Sequence, residues 1–364
     1  MKPKILFILH LPPPVHGSSM VGQYIKDSKI INTSFVAQYI NLSTSKTVDE
    51  IGKYPILKIG RYFKLVFKFI WYLFKFKPET IYLAITAKNV GFYKDLPFAL
   101  LTKLFKKKLV LHYHNKGVCI NQNKPFDNLL YHILFKNTKI ILLSERLYKD
   151  VSKYVKKENV FFCPNGIPVI NLEDKFFLKN NSVPKLLFLS NLIESKGVYI
   201  LLDALKILND NNVKFYCNMV GGEGDISLQE LNNKIKVLNL SDSVNYLGKK
   251  HNKDKYDIFQ LSDMFLFPTH YHNECFPLVL LEAMMFGLSI ISTKEGGIPD
   301  IVKHGETGFI VDKQNPEKLA KKIKYLIDNP QKACLMREKG REYFLEKYTL
   351  DVFERRMEHI LNQI

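Results

Sequence analysis

Along the chain, apolar residues recur in two alternating rhythms. Short apolar runs at 4–9, 35–42, 80–86, 109–112, 140–143 and 160–163 are bounded by polar, Gly or Pro residues. Runs of that length, rich in Ile, Val, Leu and aromatics, predict strands buried on both faces. The rhythm restarts at 185–189 and continues through 215–220, 244–247, 264–267, 288–293 and 309–311. Between the runs lie segments with helical spacing, clearest at 198–208, 253–261, 317–327 and 332–346. A final helical segment, 351–364, stands outside the repeat. Alternation of strand and helix predicts parallel sheets with helices on both faces. Two such series predict an α/β chain of two Rossmann-like domains facing each other across a cleft. The Pro164-Asn165-Gly166 turn closes the first series, so domains are expected at 1–165 and 184–350, joined by a linker at 166–183.

One stretch departs from simple patterning. The run ending at Phe267 is stopped by Pro268, and two carboxylates follow, Glu274 and Glu282. Pro277 suits the first turn of a helix, and Gly287 suits its end. Leu278 to Leu281 and Ala283 to Met285 make that helix apolar on most sides, so it is expected to be buried. A carboxylate inside it is costly unless partnered. Either Glu282 faces solvent or pairs with a nearby Lys, or it faces a crevice where ligand hydroxyls donate to it. Gly296-Gly297, Pro299, Gly305 and Gly308 then mark tight turns.

Composition sharpens the division. The 364 residues carry a net charge of +18. Residues 1–165 hold 27 Lys and Arg against 9 Asp and Glu, whereas residues 166–364 hold 26 of each. Folding does not require that asymmetry, so the first half is expected to meet an anionic surface or ligand. The segment from Ile59 to Lys77 is the best candidate. Arg61, Lys64, Lys68 and Lys75 share one helical face, and aromatics and aliphatics fill the rest. It reads either as a core helix with a solvated stripe or as a helix lying in a lipid interface. Lys103, Lys106, Lys107 and Lys108 add a basic rim suited to anionic headgroups, or to the favourable pole of a helix dipole. No nucleic-acid motif accompanies these bases. No apolar segment reaches membrane-spanning length and no signal peptide opens the chain, so a cytoplasmic, membrane-peripheral protein is expected. Five scattered cysteines give no C-x-x-C pair and no structural zinc pattern.

Several loops at strand ends carry candidate chemistry. Leu11 to Ser19 contains three consecutive prolines and Gly17, with Ser18 or Ser19 placed to cap the next helix. Strand, glycine loop and helix form a general anion-binding arrangement, and the signal here is weak. His112 and His114 point the same way if their strand continues, but a third metal ligand has no evident source. Lys196 precedes a helix, where the dipole disfavours a cation unless a phosphate is nearby. Gly221 to Asp225 forms a second glycine-rich loop. No D-x-D occurs anywhere, so neutralisation of a diphosphate would fall to Lys196, backbone amides and helix N-termini.

Taken together, these residues resemble the retaining GT-B glycosyltransferases of family 4, which use nucleotide-sugar donors. The likeness covers nearly the whole chain and is strongest from Leu261 to Val311. Its specific part is Glu274-Cys275-Phe276-Pro277-Leu278 with Glu282-Ala283-Met284, continued by Gly296-Gly297-Ile298-Pro299-Asp300 and Gly305-Glu306-Thr307-Gly308. The resemblance implies that Glu282 accepts hydrogen bonds from the donor ribose and that Glu274 holds hydroxyls of the transferred sugar. It implies that amides around Phe276, Leu278 and Val279 face the β-phosphate, and that Lys196 neutralises the leaving diphosphate. His114 would meet the sugar near its 6-hydroxyl, and Gly17 would let the first loop close over the diphosphate. Gly222 and Gly224 would lie near the donor, with Gly248 beside the base. The last helix would cross back to the first domain. Many relatives have an arginine where this chain has Asn191, which can donate a hydrogen bond but carries no charge. In the first loop His16-Gly17 replaces the usual pair of glycines. The implied reaction needs no cofactor and no metal, and moves a sugar, with UDP-sugar the expected donor, to a lipid-linked saccharide in bacterial surface polysaccharide assembly. Rival readings are a sugar-nucleotide epimerase of similar fold, or a non-catalytic sugar-nucleotide or lipid-binding partner of another transferase.

Overall fold

The structure, a computed structural model, describes residues 2–43, 55–170 and 181–364, with the backbone alone for 55–58. Residues 171–180 of the expected linker lie outside the described residues. The first six strands are β1 (Lys4–Leu9), β2 (Val36–Asn41), β3 (Thr80–Ile85), β4 (Lys108–Tyr113), β5 (Lys139–Leu142) and β6 (Val160–Phe162). They form one sheet in the order β2-β1-β3-β4-β5-β6. The second sheet uses β7 (Lys185–Leu189), β8 (Tyr216–Val220), β9 (Val244–Tyr246), β10 (Met264–Phe267), β11 (Ser289–Thr293) and β12 (Gly308–Val311). Its order is β12-β11-β10-β7-β8-β9. Every strand pairing is parallel. Apolar runs explain this: Leu6, Phe7 and Ile8 of β1 and Phe265 and Leu266 of β10 are fully buried, as central strands covered on both faces must be.

The chain divides into two compact units, Met1–Gly166 with Leu350–Ile364, and Ile167–Thr349. In each sheet the strand order reverses once, between β1 and β3 in the first and between β7 and β10 in the second. Loops leaving the carboxyl ends diverge at such a point and leave a crevice, the general ligand site of open parallel sheets. The last helix, Leu350–Asn362, packs on the short helix Lys29–Ser34 and buries Phe353, Met357 and Ile360 within the first unit. At the base of the second unit the Ile167 amide donates to the Tyr348 carbonyl at 3.0 Å, and Ile167 and Thr349 form a parallel bridge.

Local chemistry moves some expected boundaries. His16, not Ser18 or Ser19, caps the helix Gly17–Asp27. Its Nδ1 accepts from the Ser19 amide at 3.2 Å, and Ser19 Oγ accepts from the His16 amide at 2.9 Å. Gly17 is thus the first residue of a helix, in ordinary backbone geometry. Pro277 is the N-cap, one residue before the helix Leu278–Met285, because its backbone is extended there. The aromatic helix spans Pro55–Lys75 and ends before Lys77, whose φ of 51° turns the chain. The helix Asn89–Leu104 carries no clear apolar period, whereas Leu228–Val237 buries Leu231 and Ile235 on one face. Pro97 interrupts the first, and the second is polar on most sides but begins with a Ser227–Glu230 capping box.

Candidate functional site

The second unit assembles its site from loops at the carboxyl ends of neighbouring strands. The loop after β7, residues 190–197, and the loop after β10, residues 268–277, flank the switch point. They are tied by backbone: the His270 amide donates to the Ser195 carbonyl at 2.8 Å. Gly197 sits at φ 90°, and a Cβ there would overlap the Pro268 carbonyl, so only glycine allows this approach. The contact brings Lys196 and Glu274 into a salt bridge, although 78 residues separate them in sequence. Their side chains retain 15% and 10% of their exposure, so the pair is screened far less than a surface one. Lys196 Nζ also lies 4.4 Å from the centre of the Tyr271 ring and 5.5 Å from that of Phe267. Aromatic faces on one side and a carboxylate on the other fix the ammonium in place.

Glycines behind Glu274 explain the motif that follows it. Gly296 has a φ of 51°, and a Cβ there would overlap the Glu274 carbonyl. The Gly297 amide donates to the Cys275 carbonyl at 2.6 Å. Gly296-Gly297 is thus a backing plate for the loop that carries Glu274. After Phe276, which is buried against the Tyr348 ring at 5.6 Å, the helix Leu278–Met285 begins. The amides at its start, including those of Leu278 and Val279, have no partner within the helix and carry the positive end of its dipole.

Glu282 has a partner that patterning did not name. Lys255, on the helix Asn252–Leu261, donates to Glu282 Oε1 at 2.6 Å, with both side chains about four-fifths buried or more. Of the two readings of this carboxylate, pairing with a lysine holds in the unliganded protein. Oε2 is left for a further donor. Lys255 was not legible because its own helix is polar on most positions, so nothing marks one lysine among Lys253 and Lys255.

The remaining expected residues line the outer half of the same edge. Asn191 Oδ1 accepts from the Gly222 amide at 3.3 Å, and the Leu192 amide donates to the Gly222 carbonyl at 2.7 Å. The Gly221 amide donates to the Gly248 carbonyl at 3.0 Å, so the ends of β7, β8 and β9 are stitched side by side. Gly224 packs against Leu192 and Ile193.

Gly17 and His114 belong to the first unit. There the ends of β1 and β4 gather imidazoles at that unit's own switch point. His112 and His114 rings lie 4.2 Å apart, and those of His10 and His16 lie 6.2 Å apart. Buried His112 shares its Nδ1 with the Tyr82 hydroxyl. Burial, then the nearby charges of Lys94, His16 and His114, lowers His10 to about 3. Burial and His16 lower His114 to about 4. The cluster is therefore neutral at neutral pH. His10 was not singled out from sequence, where it reads only as the end of a strand. Among the described residues no group of three or more side chains is placed to hold a metal ion.

Two parallel sheets, each with a switch-point crevice, give the chain the two-unit GT-B fold. Residues 169–343, nearly the whole second unit, match the family model described as glycosyl transferases group 1. The chain is 28% identical over 273 residues to the capsular polysaccharide biosynthesis glycosyltransferase CapM of Staphylococcus aureus, covering 69% of each protein. It is 24% identical over 365 residues to N-acetyl-alpha-D-glucosaminyl L-malate synthase of Bacillus anthracis, covering 92% of this chain and 91% of that one. In fold it is similar to Anabaena Alr3699/HepE, solved in complex with UDP and glucose, with a TM-score of 0.74 at 17% identity over 99% of this chain and 100% of that one.

Proposed function

We propose that the protein transfers a sugar from a nucleoside diphosphate sugar, with UDP the favoured nucleotide, to a hydroxyl of a lipid-linked saccharide, with retention of configuration and without a metal. The observation that carries this reading is the Lys196–Glu274 pair at the switch point, beside the N-terminus of the helix Leu278–Met285. Breaking a sugar–diphosphate bond places negative charge on the leaving phosphate. A nearby ammonium and the helix-end amides stabilise that charge. On donor binding, Glu274 exchanges its lysine for sugar hydroxyls, and the freed ammonium turns to the diphosphate. Glu282 receives ribose hydroxyls on Oε2. The acceptor hydroxyl attacks from the face the diphosphate leaves, and a diphosphate oxygen takes its proton. His114, held neutral, can both donate to and accept from sugar hydroxyls. The name of the relative CapM, a capsular polysaccharide biosynthesis glycosyltransferase, supports a surface polysaccharide product, and the UDP and glucose bound by the structural neighbour HepE fit a UDP-sugar donor.

The acceptor reading rests on the first unit. On the helix Pro55–Lys75, Phe63, Phe67, Trp71 and Phe74 are 55–69% exposed beside Lys64, Lys68 and Lys75, while Phe69 and Leu73 face the core. Of its two sequence readings, the outward aromatics favour the lipid interface. Lys103 instead donates to Thr138 Oγ1 at 2.9 Å and Lys108 to the Ile364 main-chain oxygen at 2.7 Å, so Lys106 and Lys107 are the better candidates in that rim. No helix among the described residues is long and apolar enough to cross a membrane. The test is a thermal-shift screen of nucleoside diphosphates and their sugars, followed by a transfer assay with NMR of the product anomer. A stabilising nucleotide and an anomer matching the donor's support the reading, and an inverted anomer overturns retention.

A further inference from the structure

The charges at the donor-side edge do not balance a diphosphate as they stand. Lys196 is neutralised by Glu274 and Lys255 by Glu282. A bound diphosphate brings at least two negative charges to an edge whose two buried cations are already paired. At position 191, the chain offers only an amide, and Asn191 spends its oxygen on the Gly222 amide. Lys249, which follows Gly248 at the end of β9, makes no ion pair among the described residues. Its side chain is exposed to solvent along part of its length. It doubles back over the end of β8, so that its Cδ, Cε and Nζ lie over Gly222 in the space that any side chain there would fill. Gly222 is the residue whose amide Asn191 holds. Lys249 therefore carries its ammonium from the third strand of the half-sheet toward the loop of Asn191 and Lys196.

We propose that Lys249 is the second cation of the diphosphate subsite, supplying from the end of β9 the charge that residue 191 lacks. Resting on the donor reading above, this extends it. The geometry ties three features together: Gly222 is bare so that the lysine can lie across it, Asn191 is short so that the ammonium has room, and Lys249 is unpaired so that its charge is available. A neutral residue at 191 is then compatible with a working transferase.

The test measures binding of UDP, GDP, ADP and dTDP, and of the parent nucleoside of the tightest one, to the whole protein and to two variants. For Lys249→Gln, affinity for the nucleoside diphosphate falls about tenfold while affinity for the nucleoside changes less than twofold. In the double variant Asn191→Arg with Lys249→Gln, the diphosphate affinity returns, because the guanidinium reaches the vacated space. An equal loss for nucleoside and nucleoside diphosphate overturns the proposal, since Lys249 would then serve the base or ribose. So does an unchanged diphosphate affinity, or failure of the double variant to recover with its thermal midpoint intact. If the unaltered protein binds no nucleoside diphosphate, the donor reading itself fails, a result distinct from all three.

Discussion

At the residue scale, the site pairs two carboxylates with two ammoniums, Glu274 with Lys196 and Glu282 with Lys255. Removing Lys196 separates its catalytic from its structural part. Lys196→Ala is expected to cost about 10²–10³-fold in kcat, by loss of charge stabilisation at the leaving group. Single-turnover kinetics and a thermal melt check this, the melt shifting far less than the rate. Glu282→Ala should act on nucleotide binding. Loss of hydrogen bonds to a charged acceptor raises Kd about ten- to a hundredfold, measurable by calorimetry. The imidazoles of the first unit predict a pH effect. His10 and His114 titrate at about 3 and about 4 when folded, against an ordinary value near 6.5. Their depressed values mean that the unfolded chain binds more protons in that window. Their stabilising contribution is complete above about pH 6.5 and is lost as pH falls toward their folded values. Urea midpoints taken from pH 7.5 to 4.5 should fall, and fall less steeply in His114→Gln. Glu274 and Lys196 were legible in sequence because each sits at a strand end with an anomalous neighbour: a proline-started apolar helix for one, an unfavourable helix pole for the other. Lys255 and His10 were not. Their significance lies in a partner 27 residues away for one and in burial at a sheet end for the other, and neither leaves a local pattern.

At the element scale, the central strands follow from apolar runs because burial on both faces leaves little room for polar interruption, whereas the edge strands β2 and β9 carry exposed Val36 and Asn245. Helices were less legible. Asn89–Leu104 lies between buried strands and carries Pro97, so its period is broken, and only tertiary contact keeps it helical. The loops that meet at the switch point show the same dependence on tertiary fit. Gly197→Ala puts a Cβ at a left-handed φ and against the Pro268 carbonyl. It should destabilise the second unit by about 1–3 kcal/mol from backbone strain alone, seen as a lower denaturation midpoint. Activity should fall by more than the fraction unfolded, because displacing residues 268–277 separates Lys196 from Glu274.

At the scale of the whole molecule, charge is partitioned by unit, with the excess of lysine on residues 1–165. Co-sedimentation with anionic liposomes should retain the protein, and less so at high salt. Lys64, Lys68 and Lys75 changed together to Glu should release it, while Phe67→Ser with Trp71→Ser should weaken retention even at low salt. Equal binding by both variants would remove the helix Pro55–Lys75 as the membrane contact. The hydrogen bond between Ile167 and Tyr348 has a different kind of consequence. It joins the two ends of Ile167–Thr349, while the chain on either side of that span belongs to a single fold. In the gene, the second unit is thus a cassette inserted into an otherwise continuous one, its entry and exit pinned together like the neck of a bag. Such a cassette can be exchanged for the matching span of a relative with a different donor without disturbing its host. A stop codon at position 350, by contrast, would spare the cassette and injure the host, which loses the helix that covers Lys29–Ser34.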